Sequence, residues 1–344
     1  DTSTFSLVMS RASFVHKIDS AKLNYEIGYD VNYESALGKR IDKHLQYQGD
    51  YAGFVTMEYK PVYKLIVKPG VRYSYNTTYK TPVIPSLNVK WILNDAHTLR
   101  ASYAKGFRAP SLKELYFLFV DINHNIVGNM NLKAEQSDNY SLSYNYRTTI
   151  KNCRFKMDVS VFYNDIYNLI TLAQTTATEY SYINIGKYKT AGIQLTNTLR
   201  FKKLSFQTGL NYTGRYNDLS ETQDLPPFNF SPEASENISY RFIKQKLTLS
   251  LFYKYNGKLP GYMLVNDEVF QTSLSDYHTM DITASKLWFK DRVGVSVGCK
   301  NVFDVQNISS TAGSGSAHSS SATSVPLSTG RNYFIKLTLS LTKE

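Results

Sequence analysis

The last segment of the chain shows the pattern that most constrains its fold. In NYFIKLTLSLTKE, which begins at Asn332, the residues from Ile335 to Leu341 alternate strictly between apolar side chains and Lys, Thr or Ser. A period of two is typical of a β-strand with one apolar and one polar face, and it argues against a helix. The segment therefore predicts a strand in a sheet that meets water on one side.

Two earlier segments repeat this alternation. RVGVSVGCK, from Arg292, sets Val and Cys against Gly, Ser and Lys, and CRFKMDVSVFY, from Cys153, sets Phe, Met and Val against Arg, Lys, Asp and Ser. Charged residues at every second position are incompatible with the dry core of a β-sandwich. They suit the lumen wall of a wide barrel whose outer face contacts lipid. The sequence therefore predicts an all-β fold, a transmembrane antiparallel β-barrel.

The aromatic content supports a membrane barrel. The chain of 344 residues contains 28 Tyr and 18 Phe but only 2 Trp. Tyrosine is the ring that interfacial girdles of outer-membrane barrels require, because it has an apolar body and a polar edge. No apolar run approaches the roughly 18 residues of a spanning helix. Lipid contact is therefore expected through strands.

Alternating runs predict fifteen strands, joined by connections of two kinds. The strands lie near residues 3–10, 20–33, 47–59, 62–75, 84–93, 97–105, 136–148, 153–164, 180–200, 203–216, 232–242, 246–257, 277–288, 291–302 and 331–342. Short turns alternate with long connections at 34–46, 76–83, 106–135, 165–179, 217–231, 258–276 and 303–330. This asymmetry is typical of bacterial outer-membrane barrels, whose short turns are periplasmic. It predicts extracellular loops at 106–135 and, rich in Ser and Gly, at 303–330.

An odd strand count has a consequence for the whole chain. Single-chain bacterial barrels have even numbers of strands, and each open backbone group in lipid costs several kcal/mol. Either one strand is miscounted, or residues 1–344 are a portion of a larger barrel. The family resemblance described below implies the second alternative, with these residues as the C-terminal part of the barrel domain.

Charge and motifs exclude other classes of function. The net charge is +11, but the basic residues are dispersed among the short turns, as at Lys202, Lys203 and Lys290, so no nucleic-acid partner is expected. A membrane surface or an acidic ligand suits this scatter better. Hydrolase, metalloprotease and phosphate-loop motifs are missing from the sequence. The chain is therefore not expected to be an enzyme.

Two motifs bracket the 106–135 excursion and carry a resemblance. GFRAPSLKELYF and GNMNLKAEQSDNY are similar to the paired FRAP and NPNL boxes of TonB-dependent outer-membrane receptors, although Met130 stands where that family commonly has proline. INIGKYKTAGIQL at 183–195 and VGCKNVFDVQN at 297–307 extend the likeness. The matching box residues are Phe107, Arg108, Ala109 and Pro110 in the first and Asn129, Asn131 and Leu132 in the second.

The resemblance implies a barrel of 22 strands, of which this chain supplies about fifteen, in the outer membrane of a Gram-negative cell. It also implies partners outside the chain: outer-membrane lipid, an N-terminal plug and the remaining strands, the TonB complex acting through that plug, and a surface lipoprotein. The function implied is uptake of a scarce metal chelate. Haem is the first choice, cobalamin or a ferric siderophore the alternative, and a passive channel or adhesion barrel the alternative from another class.

The excursion also contains candidate ligand-binding residues. Haem receptors of this family are similar in placing a histidine between the two boxes, where His124 stands as a predicted axial ligand of a transported haem. Tyr116, Phe117 and Phe119 are candidates to stack on the porphyrin. Arg108 either binds a ligand carboxylate or pins the loop to the barrel wall. For His124 the alternative is a structural role in a turn.

Overall fold

The computed structural model describes residues 2–120, 125–174, 179–217, 228–265, 268–310 and 324–340. These residues form strands, their connections and one short helix, and no plug domain lies among them. None of the described helices is long and apolar enough to cross a membrane. In chain order the elements are β1 Ser3–His16, β2 Leu23–Gly38, β3 Leu45–Val62, β4 Leu65–Asn76, β5 Ile84–Ile92, β6 His97–Arg108, α1 Leu112–Tyr116, β7 Leu118–Val120, β8 Asn125–Val127, β9 Glu135–Ile150, β10 Cys153–Gln174, β11 Tyr180–Phe201, β12 Leu204–Asn217, β13 Asn229–Phe242, β14 Leu247–Asn256, β15 Leu259–Val265, β16 Glu268–Leu274, β17 Tyr277–Trp288, β18 Val293–Lys300, β19 Asn307–Ser309, β20 Ser324–Pro326 and β21 Asn332–Leu339.

Fifteen long strands pair in sequence order as one antiparallel meander. The order is β1, β2, β3, β4, β5, β6, β9, β10, β11, β12, β13, β14, β17, β18 and β21. Each overlaps one predicted strand, so the predicted fold class and strand count are confirmed. Among the described residues β1 pairs only with β2, and β21 only with β18. The sheet therefore keeps two open edges, as an odd count requires.

Strand register confirms that the polar positions share one face. Lys336 lies opposite Ser296, and Ile335 lies opposite Val297, and residues directly opposite each other project on the same side. Apolar side chains on the other face stay exposed within the chain, as with Ile335 at 76%. In a membrane barrel this face is covered by lipid. Cys299, opposite Ile282, lies on the same apolar face as a free thiol.

Several connections are shorter or more structured than predicted. The prediction of a long loop at 165–179 is wrong, because β10 and β11 continue as one antiparallel ladder up to the pair Gln174 and Tyr180. Likewise β2 extends to Gly38 and β3 begins at Leu45, which reduces the 34–46 loop to a turn. Beyond the lipid boundary a strand no longer has to alternate, because both faces meet water or other loops. Alternation therefore marks the part of each strand that spans the membrane and misses its extension.

Candidate functional site

The residues 109–134 between β6 and β9, here called the strap, contain the candidate site. The strap begins with a capped helical turn: the Ser111 backbone N–H donates to the Glu114 carboxylate (2.7 Å), and the Glu114 N–H donates to the Ser111 hydroxyl (3.3 Å). This reciprocal pair satisfies two orphan donors of α1. Leu112 and Leu115 of the helix are both buried. The sequence SLKE thus folds locally and presents two apolar anchors.

One side of the strap packs on the hairpin of β2 and β3. Leu112 contacts Ala36 and Ile41 in a small buried cluster. The backbone N–H of Asp42 donates to the Tyr116 carbonyl (3.0 Å), and that of Leu118 donates to the Arg40 carbonyl (2.8 Å). Backbone pairing therefore holds the strap to a hairpin three strands away from β6.

The other side of the strap reaches β10 and β11. Strand β8 runs parallel to the start of β11, and the Ser181 hydroxyl donates to the Val127 carbonyl (2.8 Å). Leu115 and Leu132 pack with Ile170 of β10 in a second buried cluster. The strap therefore extends over the long-connection end of the sheet from β2 to β11, which explains the length of the excursion.

Arg108 joins the strap to the sheet through two carboxylates. It donates from Nε and Nη2 to the two oxygens of Glu135 (2.6 and 2.8 Å), and from Nη1 to Glu114 (2.9 Å). Glu114 and Glu135 retain only 15% and 14% exposure, whereas Arg108 retains 44%. The Ile170 N–H also donates to Glu135 (2.6 Å). The group Arg108–Glu114–Glu135, here called the hub, fixes β6, α1, β9 and β10 together.

Protonation in the hub follows from these contacts. Hydrogen bonding to Glu135, and then to Glu114, raises the pKa of Arg108 despite partial burial. Burial alone would raise the pKa of Glu114, but hydrogen bonds from Arg108 and Ser111 outweigh it and lower that pKa. The two shifts both favour the charged forms of Arg108 and Glu114, so this pair is ionised at neutral pH.

The second box residues hold the strap as it returns to β9. The Asn129 N–H donates to the Glu114 carbonyl, and its side-chain amide donates to the Tyr182 carbonyl, both at 2.8 Å. Leu132 is 4% exposed, and its carbonyl accepts from the Tyr79 hydroxyl (3.1 Å). Burial, with the charges of Tyr116 and Glu114 adding to it, raises the pKa of Tyr79 to about 12.

The remaining box residues occupy less connected positions. Phe107 and Arg108 are the last residues of β6, opposite Gln136 and Glu135. Pro110 is fully buried, Ala109 is half-buried, and Asn131 is exposed with its N–H donating to the Asn129 side chain (2.9 Å). The two boxes thus frame the strap at both of its attachments.

Two further residues fix the strap and were missed in the sequence. The Asn184 side chain accepts from the Lys133 N–H (2.8 Å) and donates to the carbonyls of Lys133 (3.0 Å) and Asn168 (2.7 Å). Gly128 approaches the helix so closely that a Cβ there would lie 2.7 Å from the Leu115 carbonyl carbon. The sequence does contain an indication of Asn184, because this polar amide stands between the two isoleucines of the INIG segment of β11.

Comparison with known proteins decides the family. The family model described as TonB dependent receptor-like, beta-barrel matches residues 16–302. The chain belongs to this family. Its members are outer-membrane transporters and not enzymes, so the predicted location, the predicted family and the absence of an enzymatic role are confirmed.

Curated relatives of this receptor chain include proteins whose names refer to haem or haemoglobin. It is 25% identical over 282 residues to the Heme/hemopexin utilization protein C of Haemophilus influenzae, covering 70% of the chain and 38% of the relative. It is 25% identical over 169 residues to the Hemoglobin-haptoglobin-binding protein A of the same species, covering 46% and 16%. The receptor chain thus spans well under half the length of these relatives.

Solved structures share its fold. The siderophore receptor PirA of Pseudomonas aeruginosa superposes with a TM-score of 0.72 at 18% identity, covering 98% of this chain and 55% of that one. The FrpB iron transporter of Neisseria meningitidis gives 0.71 at 16% identity, with 97% and 54% covered. At these identities the likeness establishes the fold alone.

The predicted aromatic residues of the receptor chain gather on the β2–β3 side of the strap. Phe117 and Phe119 stack with centroids 5.9 Å apart and planes at 10°, and the edge of Phe5 meets Phe117 at 5.7 Å. The Arg40 guanidinium lies 5.2 Å above Phe119. Tyr116 packs against both buried clusters. All three predicted rings remain half-buried rather than buried.

The predicted haem ligand, His124, lies outside the described residues. Strand β7 ends at Val120, strand β8 begins at Asn125, and these two residues pair with each other. Within the described ranges no group of three His, Cys, Asp or Glu is placed to hold a metal ion. The axial-ligand role of His124 therefore stays a prediction.

Proposed function

We propose that this chain forms most of the barrel wall of a receptor that imports a scarce metal chelate, and that the chelate is haem. The names of the relatives in Haemophilus influenzae, which refer to haem and haemoglobin, support this choice of ligand. The strap is the structural observation that supports this proposal. It places aromatic side chains over the long-connection end of a sheet whose other face is apolar. Family membership argues against the passive channel and adhesion alternatives.

In this proposal the strap is the receptor's capture surface. The stacked pair Phe117 and Phe119 offers an apolar platform for a porphyrin face, and the cations Arg40 and Lys113 beside these rings suit the carboxylates of an anionic chelate. His124 would supply an imidazole nitrogen to ferric iron. The hub would hold the strap at fixed height above the lumen, since all its guanidinium contacts go to Glu114 and Glu135.

The rest of the transport cycle needs parts beyond this chain. A plug would close the lumen, further strands would complete the wall, and the TonB complex would act on the plug to release the chelate inwards. A surface lipoprotein would deliver the ligand. We propose these partners from the family that the chain belongs to.

Haemin titration of the purified intact receptor tests the ligand. We expect a shift of the Soret band on binding and a roughly tenfold weaker affinity in His124→Ala, which corresponds to about 1.4 kcal/mol. His318→Ala, a histidine in the Ser- and Gly-rich segment, serves as the matched control and should bind like the wild type. An unchanged Soret band with the wild-type receptor would contradict haem, and direct titration with a ferric siderophore or cobalamin would then test the alternatives.

A further inference from the structure

Glu236 on β13 lies on the apolar face of the sheet. Directly opposed residues project on the same side, and the register from Ile335 through Ala284 to Leu249 identifies that face strand by strand. Tyr253 follows Leu249 on the same face of β14 and lies opposite Glu236. The Glu236 side chain therefore faces the lipid rather than the lumen.

Aromatic residues on the same face of β13 indicate how deep Glu236 lies in the membrane. Tyr240 is four residues away toward the short turn, and Phe230, stacked on Tyr212 with centroids 4.8 Å apart, is six residues away toward the long connection. The stretch from Phe230 to Tyr240, tilted by about 40°, rises about 25 Å, which is the height of the apolar band of such barrels. Glu236 therefore lies within the hydrocarbon region, about 10 Å from the level of Tyr240.

A row of three polar residues crosses the apolar face at this level. Thr208 on β12 lies opposite Glu236 and, on its other side, opposite Asn197 of β11. The Thr208 hydroxyl donates to Glu236 Oε2 (2.5 Å), whereas Glu236 Oε1 and Asn197 Oδ1 have no hydrogen-bond partner among the described residues. Asn197, Thr208 and Glu236 are here called the polar row. Both of its ends carry an oxygen without a donor.

Apolar side chains surround the polar row. Leu210 opposes Ala234 on the side of the long connections, and Phe206 opposes Ile238 on the side of the short turns. On the apolar face of β11, β12 and β14, the described residues include no other charged side chain. Unsatisfied polar groups in hydrocarbon cost free energy, and acyl chains have no donor to offer them. A partner for the row is therefore expected to be protein.

The polar row is complementary to a second copy of itself. In hydrocarbon a carboxyl group favours its protonated form, which both donates and accepts, and a primary amide does the same. A two-fold axis through Thr208 turns the carboxyl end of one row toward the amide end of the other. Two convex barrel walls also touch only along a narrow strip, and three strands span about 10 Å. The row thus matches such a contact in chemistry and in width.

We infer that the polar row is the centre of a contact between two copies of this chain within the outer membrane. The Asn197 amide of each copy pairs with the Glu236 carboxyl of the other, and a rotation of the Glu236 side chain turns Oε1 outward for this pair. Leu210 and Ile238 pack beside it. Polar pairs between transmembrane helices promote their association in the same way, because lipid offers no competing partner.

Cysteine cross-linking in outer membranes that contain the intact receptor tests the contact. In a receptor freed of its other cysteines, Cys153 and Cys299 included, oxidation of Leu210→Cys with copper phenanthroline should give a product of twice the receptor mass. Val71→Cys on β4 is the matched control. Leu210 and Val71 each lie six residues from the short-turn start of their strands, and they are 43% and 41% exposed. We expect several-fold less dimer from Val71→Cys.

Variants of the row identify what holds the two copies together. Added to Leu210→Cys, Glu236→Leu and Asn197→Leu should each reduce the cross-linked fraction several-fold, although both make the wall more apolar. Glu236→Gln retains a donor and an acceptor and should cross-link like the parent. The heat-modifiable mobility of the barrel on a gel verifies that each variant is folded.

Four results would overturn the inference. Equal cross-linking of Leu210→Cys and Val71→Cys would indicate random collision, and a dimer that survives Glu236→Leu would show that the contact does not depend on the row. A loss in Glu236→Gln as complete as in Glu236→Leu would show that the row requires a charged partner. A product of any mass other than twice that of the receptor would show that a different protein covers this face.

Discussion

The hub and five cations at the short-turn end of the sheet are two ways of placing positive charge in one chain. These cations are Arg147, Arg154, Lys156, Arg200 and Arg241. In the hub, one guanidinium contacts two largely buried carboxylates, and all three groups belong to the same chain. The other five cations lie on β9, β10, β11 and β13, and none has an ion-pair partner among the described residues. The comparison separates charge that stabilises this chain from charge that is available to something else. The predictions therefore begin with the hub, where loss of a charge should change the stability of the strap.

Removing the central cation should have the largest effect on the strap. In Arg108→Ala the carboxylates of Glu114 and Glu135 remain buried without a counter-charge, which costs about 2–3 kcal/mol for a partly exposed hub. Hydrogen exchange of residues 109–120 should therefore accelerate roughly thirtyfold or more, while exchange in β13 and β14 stays unchanged. Mass spectrometry of the intact receptor in detergent measures both regions.

The charge-conserving variant sharpens this result. Lys in place of Arg108 keeps the positive charge but lacks the planar fork that contacts both carboxylates at once. Arg108→Lys should therefore lie between the wild type and Arg108→Ala. If Arg108→Ala exchanged like the wild type, the hub would not hold the strap, and its contrast with the cations that lack an ion-pair partner would disappear.

A methyl group at Gly128 should loosen the strap without touching any charge. Its Cβ would lie 2.7 Å from the backbone carbonyl of Leu115, and a backbone atom cannot rotate away. Gly128→Ala should therefore destabilise the strap by about 1–3 kcal/mol. Gly53→Ala is the matched control, because a Cβ at Gly53 meets no atom within 4 Å. Equal exchange rates in the two variants would show that the close approach is not maintained in solution.

Asn184 tests whether the strap also depends on neutral hydrogen bonds. Asn184→Ala removes bonds to both backbone groups of Lys133 and to the Asn168 carbonyl, with an expected loss of about 1–2 kcal/mol. Asn184→Asp keeps the acceptor for the Lys133 N–H and loses the donors. Hydrogen exchange at residues 129–134 should therefore also be faster in Asn184→Asp than in the wild type. If exchange were faster only in Asn184→Ala, the hydrogen bonds that Asn184 donates would contribute nothing to stability.

The sequence predicted the sheet far better than the strap, for a physical reason. Within the membrane every strand has one wet and one apolar face, so alternation alone located Ile335, Lys336 and their counterparts on the fourteen other strands. The strap follows no such rule. Its shape depends on single contacts between distant residues, such as Asn184 with Lys133 and Gly128 with Leu115.

The box residues lie between these two cases. The resemblance identified Arg108 as important but left open whether it binds a ligand or the loop. The structure provides carboxylates for it in Glu114 and Glu135, neither of which the sequence singled out. Arg108 and Glu135 are 27 positions apart in the sequence, so no local sequence pattern predicts that they pair.

The smallest expected effect is the pH response of the hub. Because the pKa of Glu114 is lowered from its ordinary value of 4.5 in the folded strap, its stabilising contribution is complete at neutral pH. The contribution decreases once the pH falls below about 4.5 and is lost as the pH passes through the lowered value. After correction for the intrinsic pH dependence of amide exchange, protection of residues 111–117 should be constant between pH 7 and 5. On further acidification it should fall more in the wild type than in Glu114→Gln. The Gln variant has no carboxylate to titrate at this position, so an identical acid response in both proteins would assign the effect to other groups and leave Glu114 without a part in it.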